Sequence, residues 1–172
     1  YPSSFMLLAS MNPCPCGYDG DETHNCRCSQ NAIEKYMQKI SGPILDRIDI
    51  VARVNVEKYD VLTGNDEKEE TSADIRKRVN AARQRQLERY AETGALFNSQ
   101  LGVKQIGTFC ALDEESSVLM KRAYISFDMS ARSYHRVLRL ARTIADLDGC
   151  DHIRSYHLSE ALQYRGSGNI FL

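Results

Sequence analysis

The chain begins with a short run of apolar residues at positions 5–9. A continuous apolar run of this length is typical of a strand covered on both faces of a sheet, although a short helical segment has the same pattern. Pro13 follows soon after it, and a proline favours an extended conformation in the residue before it. The pattern therefore predicts that Asn12 lies at the carboxyl end of a buried strand, where parallel α/β sheets bind their ligands.

A helix and a second strand are predicted next. Residues 31–40 place apolar side chains at helical spacing, and the sequence Ser-Gly-Pro ends the helix. Residues 44–54 alternate apolar and polar positions in their second half, as a strand does, with Arg47 at the strand entrance. Two strands and one helix do not make a complete α/β domain, so the sheet partners of residues 1–56 are expected upstream of them.

The rest of the chain is predicted to be helical. Residues 57–71 are acidic and polar without sustained apolar periodicity, which is typical of a linker. Four helices are predicted beyond it, with N-caps at Ser72, Asp113, Ser130 and Ser155. The helix after Ser130 has the most pronounced apolar face. The predicted fold is an α/β fragment over residues 1–56, a linker, and an all-α domain over residues 72–172.

The composition is that of an ordinary globular protein, with 172 residues of which 42% are hydrophobic and 26% charged. No apolar stretch approaches the roughly 18 residues needed to cross a bilayer, and no signal-peptide pattern opens the chain, so we expect a cytoplasmic protein without a membrane partner. Residues 1–71 carry 7 basic and 12 acidic side chains, whereas residues 72–172 carry 15 and 11. The basic C-terminal part permits a phosphate-rich partner, but a solvated helical surface often carries the same excess.

The six cysteines, without a secretory signal, argue against structural disulfides. Four of them form two close pairs, Cys14 with Cys16 and Cys26 with Cys28. Four thiolates can complete a tetrahedral site for structural zinc, and the loop between the pairs has little apolar mass to fold it without a metal. Two alternatives stay open: a reduced, metal-free loop, and a site in which His24 replaces one thiolate. Cys110 and Cys150 are expected to be ordinary buried residues.

Several arginines have both a structural and a functional interpretation. Arg47 lies between acidic residues, which favours a surface ion pair, but its planar guanidinium is also suited to a phosphate held by a neighbouring subunit. One face of the helix after Ser130 carries three arginines, Arg132, Arg136 and Arg139. Because a positive side chain in the first turn opposes the helix dipole, Arg132 is either part of a solvated basic face or a ligand for an anion.

Four separated parts of the sequence resemble the ComM/YifB family of magnesium-chelatase-like AAA+ ATPases. They are Phe5 to Gly17, Ser41 to Asp49, Ser130 to Tyr134 with Ala141 to Leu147, and His157 to Arg165. They occur in order across nearly the whole chain, so the sequence is identified as the C-terminal part of a protein similar to this family. The family is linked to DNA, with branch migration or helicase activity during natural transformation.

The resemblance implies roles for three residues. Asn12 corresponds to the sensor-1 residue, which helps to orient the water that attacks the γ-phosphate of ATP. Arg47 corresponds to the arginine finger, which acts across a subunit interface on the transferred phosphoryl group. Arg132 corresponds to the sensor-2 arginine of the helical lid. The intact protein is expected to use ATP and Mg²⁺ and to assemble as a homo-oligomeric ring, with six subunits as the expected number.

One departure from the family pattern limits what the chain can do alone. The 172 residues contain no G-x-x-x-x-G-K-[ST] phosphate loop and no apolar strand ending in an acidic pair for magnesium, so the chain alone is expected not to hydrolyse ATP. Two other functions fit parts of the sequence. One is a motor subunit of magnesium-chelatase type, which helps to insert magnesium into a porphyrin through partner subunits, and the other is a zinc-stabilised interaction module without a nucleotide role. The cysteine loop and residues 163–165 fit the ComM/YifB family better than the chelatase motor.

Overall fold

The computed structural model of the chain describes residues 5–21, 23–45, 47–54 and 70–164. Within these ranges it has seven α-helices, a 3₁₀ turn at Asn98–Gln100 and an isolated parallel bridge between Leu112 and Ile153. The helices are α1 Gln30–Met37, α2 Gly42–Leu45, α3 Ser72–Arg89, α4 Val103–Phe109, α5 Glu114–Ser126, α6 Ala131–Leu147 and α7 Ser155–Gln163. In the part of the chain that is described, no helix is both long enough and apolar enough to cross a membrane.

The helical domain is built around α6. This helix packs against α7, α3, α4 and the 3₁₀ turn, while α5 packs against α7. Small residues let α6 and α7 approach closely, and the side chains of Ala141, Ala145 and Ala161 are fully buried. Larger buried side chains complete the core, among them Tyr90, Ile106, Met120, Leu138 and Leu158. The prediction that the helix after Ser130 has the dominant apolar face is confirmed.

Side-chain caps fix the starts of the longer helices. Thr71, Asp113 and Ser130 each accept a hydrogen bond from the backbone N–H three residues further on, at 3.2, 2.8 and 3.2 Å. The predicted caps Asp113 and Ser130 are confirmed, whereas the cap of α3 lies one residue earlier than predicted. The cap of α7 also lies one residue earlier, at Arg154, whose backbone N–H donates to Nδ1 of His157 at 2.9 Å.

A buried network of charged and polar side chains joins α3 to α6. The Asp146 carboxylate accepts two hydrogen bonds from Arg89, one from Arg142 at 3.2 Å and one from Asn98 at 3.0 Å. Asp146 and Arg142 are only 2% and 1% exposed. Arg142 also donates to two backbone carbonyl groups of the loop between α6 and α7. Arg89 and Arg142 thus share one carboxylate, and the bonds from Arg142 to the backbone carbonyl groups satisfy further N–H groups of its buried side chain.

The two strands predicted in the N-terminal part are absent from the described residues. Residues 5–9 have no regular secondary structure, and the side chains from Phe5 to Leu8 are between 63% and 95% exposed. Of the segment over 44–54, residues 44 and 45 lie in the short helix α2, and residues 47–54 have no regular secondary structure. The strand predictions are therefore wrong for this structure. A strand covered on both faces needs neighbouring strands for its hydrogen bonds, and the described residues supply none.

Other local predictions have mixed outcomes. The helix predicted over 31–40 is present as α1 but ends three residues earlier, at Met37. Helix α4 was not predicted, because it is seven residues long with a single buried side chain, Ile106, and so carries almost no periodicity. Cys110 is buried as expected, whereas Cys150 is partly exposed. The linker predicted over residues 57–71 lies almost entirely outside the described residues.

Candidate functional site

The four clustered cysteines converge on one point. The Sγ atoms of Cys14, Cys16, Cys26 and Cys28 all lie within 4.8 Å of one another. Cys14 Sγ is 3.3 Å from Cys16 Sγ and 3.6 Å from Cys26 Sγ, and the last two atoms are also 3.6 Å apart. A tetrahedral ion with Zn–S bonds of about 2.3 Å requires S–S separations of about 3.8 Å. The structure thus brings the predicted ligand set together in nearly the spacing that zinc requires.

A tight turn builds the first half of the cluster. The Gly17 N–H donates to the Cys14 carbonyl at 3.1 Å, so the chain reverses directly after the first cysteine pair. Gly17 has a φ of 88°, a conformation that favours glycine. The cysteines of a Cys-x-Cys-Gly sequence can therefore point to the same side of the turn.

Two further contacts shape the loop between the cysteine pairs. The Asp21 carboxylate accepts the backbone N–H groups of Thr23 at 2.7 Å and His24 at 2.9 Å, which turns the chain back towards the second pair. The Arg53 guanidinium donates to the Asp19 carbonyl at 2.6 Å and lies across the neighbouring glycine at position 20, where a Cβ atom would collide with it. The loop is therefore attached to residues far along the sequence.

The pKa values of the cysteine thiols differ from one another. Backbone N–H groups of Tyr18 and Arg27 lower the pKa of Cys16 to about 6. The Cys28 N–H favours the Cys26 thiolate, but desolvation and the neighbouring thiols outweigh it and raise the pKa of Cys26 to about 12. Adjacent thiols thus resist carrying several negative charges together. A divalent cation at their centre removes that repulsion and favours the thiolate at every position.

His24 lies outside the group of sulfur atoms. Its Nδ1 atom is 2.8 Å from the hydroxyl of Thr23 and 3.6 Å from the carboxylate of Asp21. The ring stacks on Tyr18 with a centroid distance of 4.8 Å, and the side chain is 59% exposed. The geometry thus favours the four thiols over the alternative in which His24 is a ligand.

The three residues assigned to the nucleotide lie on separate segments. Asn12 is exposed and packs over the first cysteine turn, because a Cβ atom on Gly17 would lie 3.8 Å from Asn12 Nδ2. Arg47 follows α2, is exposed, and donates to the Pro43 carbonyl. Arg132 is exposed in the first turn of α6, and no hydrogen bond or ion pair joins it to another described residue. All three side chains are accessible, but the described residues do not gather them into one pocket.

The other two arginines of that α6 face contact neighbouring segments. Arg136 donates to the Ile48 carbonyl at 2.6 Å, and its Nε atom lies 3.4 Å from the Asp49 carboxylate. Arg139 donates to the Ser99 carbonyl at 2.9 Å. The interpretation as a solvated basic face is therefore wrong for these two side chains. The sequence did not indicate these contacts, because the hydrogen-bond acceptors are backbone carbonyl groups and the Asp49 carboxylate lies far from Arg136 along the chain.

A second polar cluster, also missed from the sequence, joins the loop after α6 to α7. The Asp148 carboxylate accepts hydrogen bonds from Tyr156 at 2.9 Å, His157 Nε2 at 3.1 Å and Cys150 at 3.3 Å. Hydrogen bonds from His157, then Tyr156 and Cys150, lower the pKa of Asp148. Because Nδ1 of His157 accepts the Arg154 N–H, Nε2 carries the ring proton and donates to Asp148. Both ring nitrogens thus make structural hydrogen bonds, and the cluster holds α7 against the loop that precedes it.

Comparison with known proteins assigns the chain to a family. The family model described as magnesium chelatase, subunit ChlI C-terminal, matches residues 69–165, and the one described as magnesium chelatase, subunit ChlI, matches residues 1–62. Competence protein ComM of Haemophilus influenzae is 40% identical over 96% of this chain and 31% of its own length. The chain belongs to the magnesium-chelatase-like ComM/YifB family.

Other relatives match over a similar extent. YifB of Escherichia coli is 36% identical over 100% of this chain and 33% of its own length. A protein of Mycobacterium tuberculosis is 27% identical over 98% of this chain and 33% of its own length. The chain therefore spans about a third of the length of the curated relatives it matches.

Proposed function

We propose that the chain is the sensor, arginine-finger and lid portion of a ring-forming AAA+ ATPase. Residues 1–56 would complete the ATPase core, residues 57–71 would link it to the lid, and residues 72–172 would form the lid. The observation that supports this most directly is the family match over both halves of the chain, since each half contains residues assigned to the nucleotide.

The proposed roles follow from the charge that develops on a transferred phosphoryl group. Arg47 would reach across a subunit interface and stabilise that charge, which is a role suited to an exposed guanidinium. Asn12 would orient the attacking water, and Arg132 would couple the lid to the phosphates. ATP and Mg²⁺ would be held mainly by residues outside this chain, because its sequence has no phosphate loop, and the chain alone would be inactive. A structural metal ion at the four thiols would be a further cofactor.

The substrate that we propose for the ring is DNA. The relative from Haemophilus influenzae is named a competence protein, and the family that the sequence resembles is linked to DNA. The excess of basic side chains over residues 72–172 is compatible with a phosphate-rich partner. The protein would act in the cytoplasm as a homo-oligomer, with six subunits as the proposed number, and would drive branch migration or strand separation.

A second function is favoured by the description of the family models themselves. A magnesium-chelatase motor would spend ATP to act on a porphyrin through partner subunits. The 40% identity to a competence protein supports DNA instead. A zinc-stabilised interaction module without a nucleotide role is the third function, and it predicts that replacing Arg47 and Arg132 leaves partner binding unchanged.

The experiment that tests the proposal uses the full-length protein, whose length is expected to match that of the relatives. Replacing Arg47 by alanine is expected to lower ATP turnover roughly 10³-fold or more while nucleotide affinity is largely kept. Arg122→Ala, which removes an exposed arginine from α5, is the matched control and is expected to keep the parent turnover. Turnover that is the same in both variants would contradict the proposal.

Added DNA and added porphyrin with its partner subunits distinguish the two motor functions. Stimulation of ATP turnover by DNA is expected, and stimulation only by the porphyrin system would favour the chelatase motor. Arg132→Ala is expected to weaken the dependence of lid position on nucleotide, measured as hydrogen exchange of α6 with and without ATP. Equal nucleotide affinity, turnover and exchange in the variant and the parent would contradict the role of Arg132.

A further inference from the structure

We infer that Cys14, Cys16, Cys26 and Cys28 bind one Zn²⁺ ion as a four-thiolate centre, and that this centre holds Asn12 in position. The first part depends only on residues of this chain. The second part rests on the proposed function, because it assumes that Asn12 acts on ATP.

The sulfur geometry supports four-coordinate binding. Three S–S distances of 3.3, 3.6 and 3.6 Å are within about 0.5 Å of the tetrahedral edge of about 3.8 Å. The fourth sulfur, that of Cys28, lies within 4.8 Å of the other three. A small rearrangement of the side chains would therefore equalise all the distances around an ion.

The donor set identifies the ion and its role. Thiolates are soft ligands, and a tetrahedral set of four is typical of zinc or iron rather than of magnesium or calcium. Zn²⁺ does not change its oxidation state, and four thiolates fill its tetrahedral coordination. No coordination position then stays open for a substrate. Backbone N–H groups of Tyr18 and Arg27 point at Cys16 and would be the outer hydrogen bonds that such a site requires. The centre would therefore be structural.

The loop needs such a centre to keep its shape. Among described residues 5–28, Cys14 is the only buried side chain, and Tyr18, the one large aromatic residue of the loop, is 43% exposed. A loop without an apolar core gains little from hydrophobic burial. The ion would supply the missing free energy, because its binding occurs only when the two cysteine pairs are together.

The position of Asn12 follows from that of the first cysteine pair. The Asn12 amide packs over Gly17, and the Gly17 N–H is bonded to the Cys14 carbonyl. The turn between the first two ligands is thus the surface on which Asn12 rests. Loss of the ion would free this turn and with it the Asn12 side chain. A side chain that must orient a water molecule tolerates little displacement, and a shift of about 1 Å can lower a rate by about 100-fold.

The first experiment measures metal in the purified chain of 172 residues. Elemental analysis is expected to find about one zinc ion per chain, with four thiols that react with a thiol reagent only after a strong chelator is added. After exchange of zinc for Co²⁺, the visible spectrum is expected to show the absorption of a tetrahedral ion with four thiolate ligands. A chain without metal, or one that contains iron or disulfides, would overturn the zinc assignment.

Single substitutions test the ligand set. Serine at any one of the four cysteines is expected to lower zinc retention during dialysis against a competing chelator. His24→Ala and Cys150→Ser are the matched controls and are expected to retain zinc as the parent does. Loss of zinc in His24→Ala would contradict the four-thiolate set. The far-ultraviolet circular dichroism of the helical domain, which contains none of the ligands, reports whether each variant has folded.

Full-length Cys16→Ser and Asn12→Ala test the positioning of Asn12. Both are expected to lower ATP turnover, by roughly tenfold to 100-fold for Cys16→Ser, while nucleotide affinity is kept. A Cys16→Ser protein that has lost zinc and keeps full turnover would overturn the positioning role and leave the proposed function intact. A parent protein that binds zinc and does not hydrolyse ATP would contradict the proposed function and leave the zinc centre intact.

Discussion

The Arg136 guanidinium donates a hydrogen bond to the carbonyl of Ile48 at 2.6 Å, and its Nε atom lies 3.4 Å from the Asp49 carboxylate. Arg136 lies on α6, one helical turn after Arg132, and Ile48 directly follows Arg47. A second bond joins the segment after Arg47 to the end of α7, because the Val51 N–H donates to the carbonyl of the residue at position 164. The two arginines proposed to contact nucleotide are therefore carried by segments that are bonded to each other.

This contact predicts that Arg136 positions the arginine finger. In the full-length protein, Arg136→Ala is expected to lower ATP turnover by roughly tenfold, because the segment that directly follows Arg47 loses a fixed attachment, while nucleotide affinity changes little. Hydrogen exchange at the Val51 N–H is expected to become faster in the same variant. Arg122→Ala is the control for the loss of one positive charge. Turnover and exchange equal to those of this control would contradict the positioning role.

The buried carboxylate of Asp146 predicts a large effect on stability. Asp146→Ala leaves Arg142 buried without its partner, and breaking a buried ion pair in this way costs about 3–5 kcal/mol. Urea unfolding of the chain, followed by circular dichroism, measures the change in the free energy of unfolding. Asp151→Ala breaks an exposed pair with Arg85 and is expected to cost at most about 1 kcal/mol. Similar losses in the two variants would contradict the importance of the buried network.

Asp148 predicts part of the pH dependence of stability. Hydrogen bonds from His157, Tyr156 and Cys150 lower its pKa in the folded chain. A carboxyl group whose pKa is lower in the folded state stabilises the fold fully above its unfolded pKa of about 3.9. This contribution is lost as the pH falls through the folded pKa, because the carboxylate is protonated at a higher pH in the unfolded chain than in the folded chain.

The measurement is the free energy of unfolding of the parent and of Asp148→Asn at a series of pH values. The stability advantage of the parent over Asp148→Asn is expected to shrink as the pH falls below about 4. Asp151→Asn, on the same loop, is the control. A difference between the parent and Asp148→Asn that stays constant with pH would show that the Asp148 charge does not contribute.

The helical domain was largely predictable from sequence because its signals are local. Asp113 and Ser130 are caps, and both start helices where predicted. The start of α7 was misplaced by one residue because its N-cap backbone group is bonded to the side chain of His157. The strand predictions failed for the opposite reason. An apolar run such as 5–9 becomes a strand only when neighbouring strands pair with it, and that condition lies outside the local sequence.

The four cysteines of the candidate site were predictable from the sequence, but the hydrogen bonds that join the surrounding segments were not. The spacing of the two Cys-x-Cys pairs was sufficient to predict that four thiols meet. The contacts of Arg136 with Ile48 and of Arg53 with Asp19 were not predictable, since each joins a side chain to a backbone carbonyl more than thirty positions away. Contacts of this kind depend on the packing of whole segments, which no spacing rule describes.

In the proposed function, Arg47 and Asn12 act on the same ATP from two different subunits. This is tested by the ATP turnover of a mixture of full-length Arg47→Ala and full-length Asn12→Ala, each of which is expected to be much less active than the parent. In a head-to-tail ring, some mixed interfaces combine an intact Asn12 with an intact Arg47 of the neighbouring subunit. Mixing is expected to restore turnover. A mixture no more active than the separate variants, although both bind nucleotide and assemble together, would contradict it.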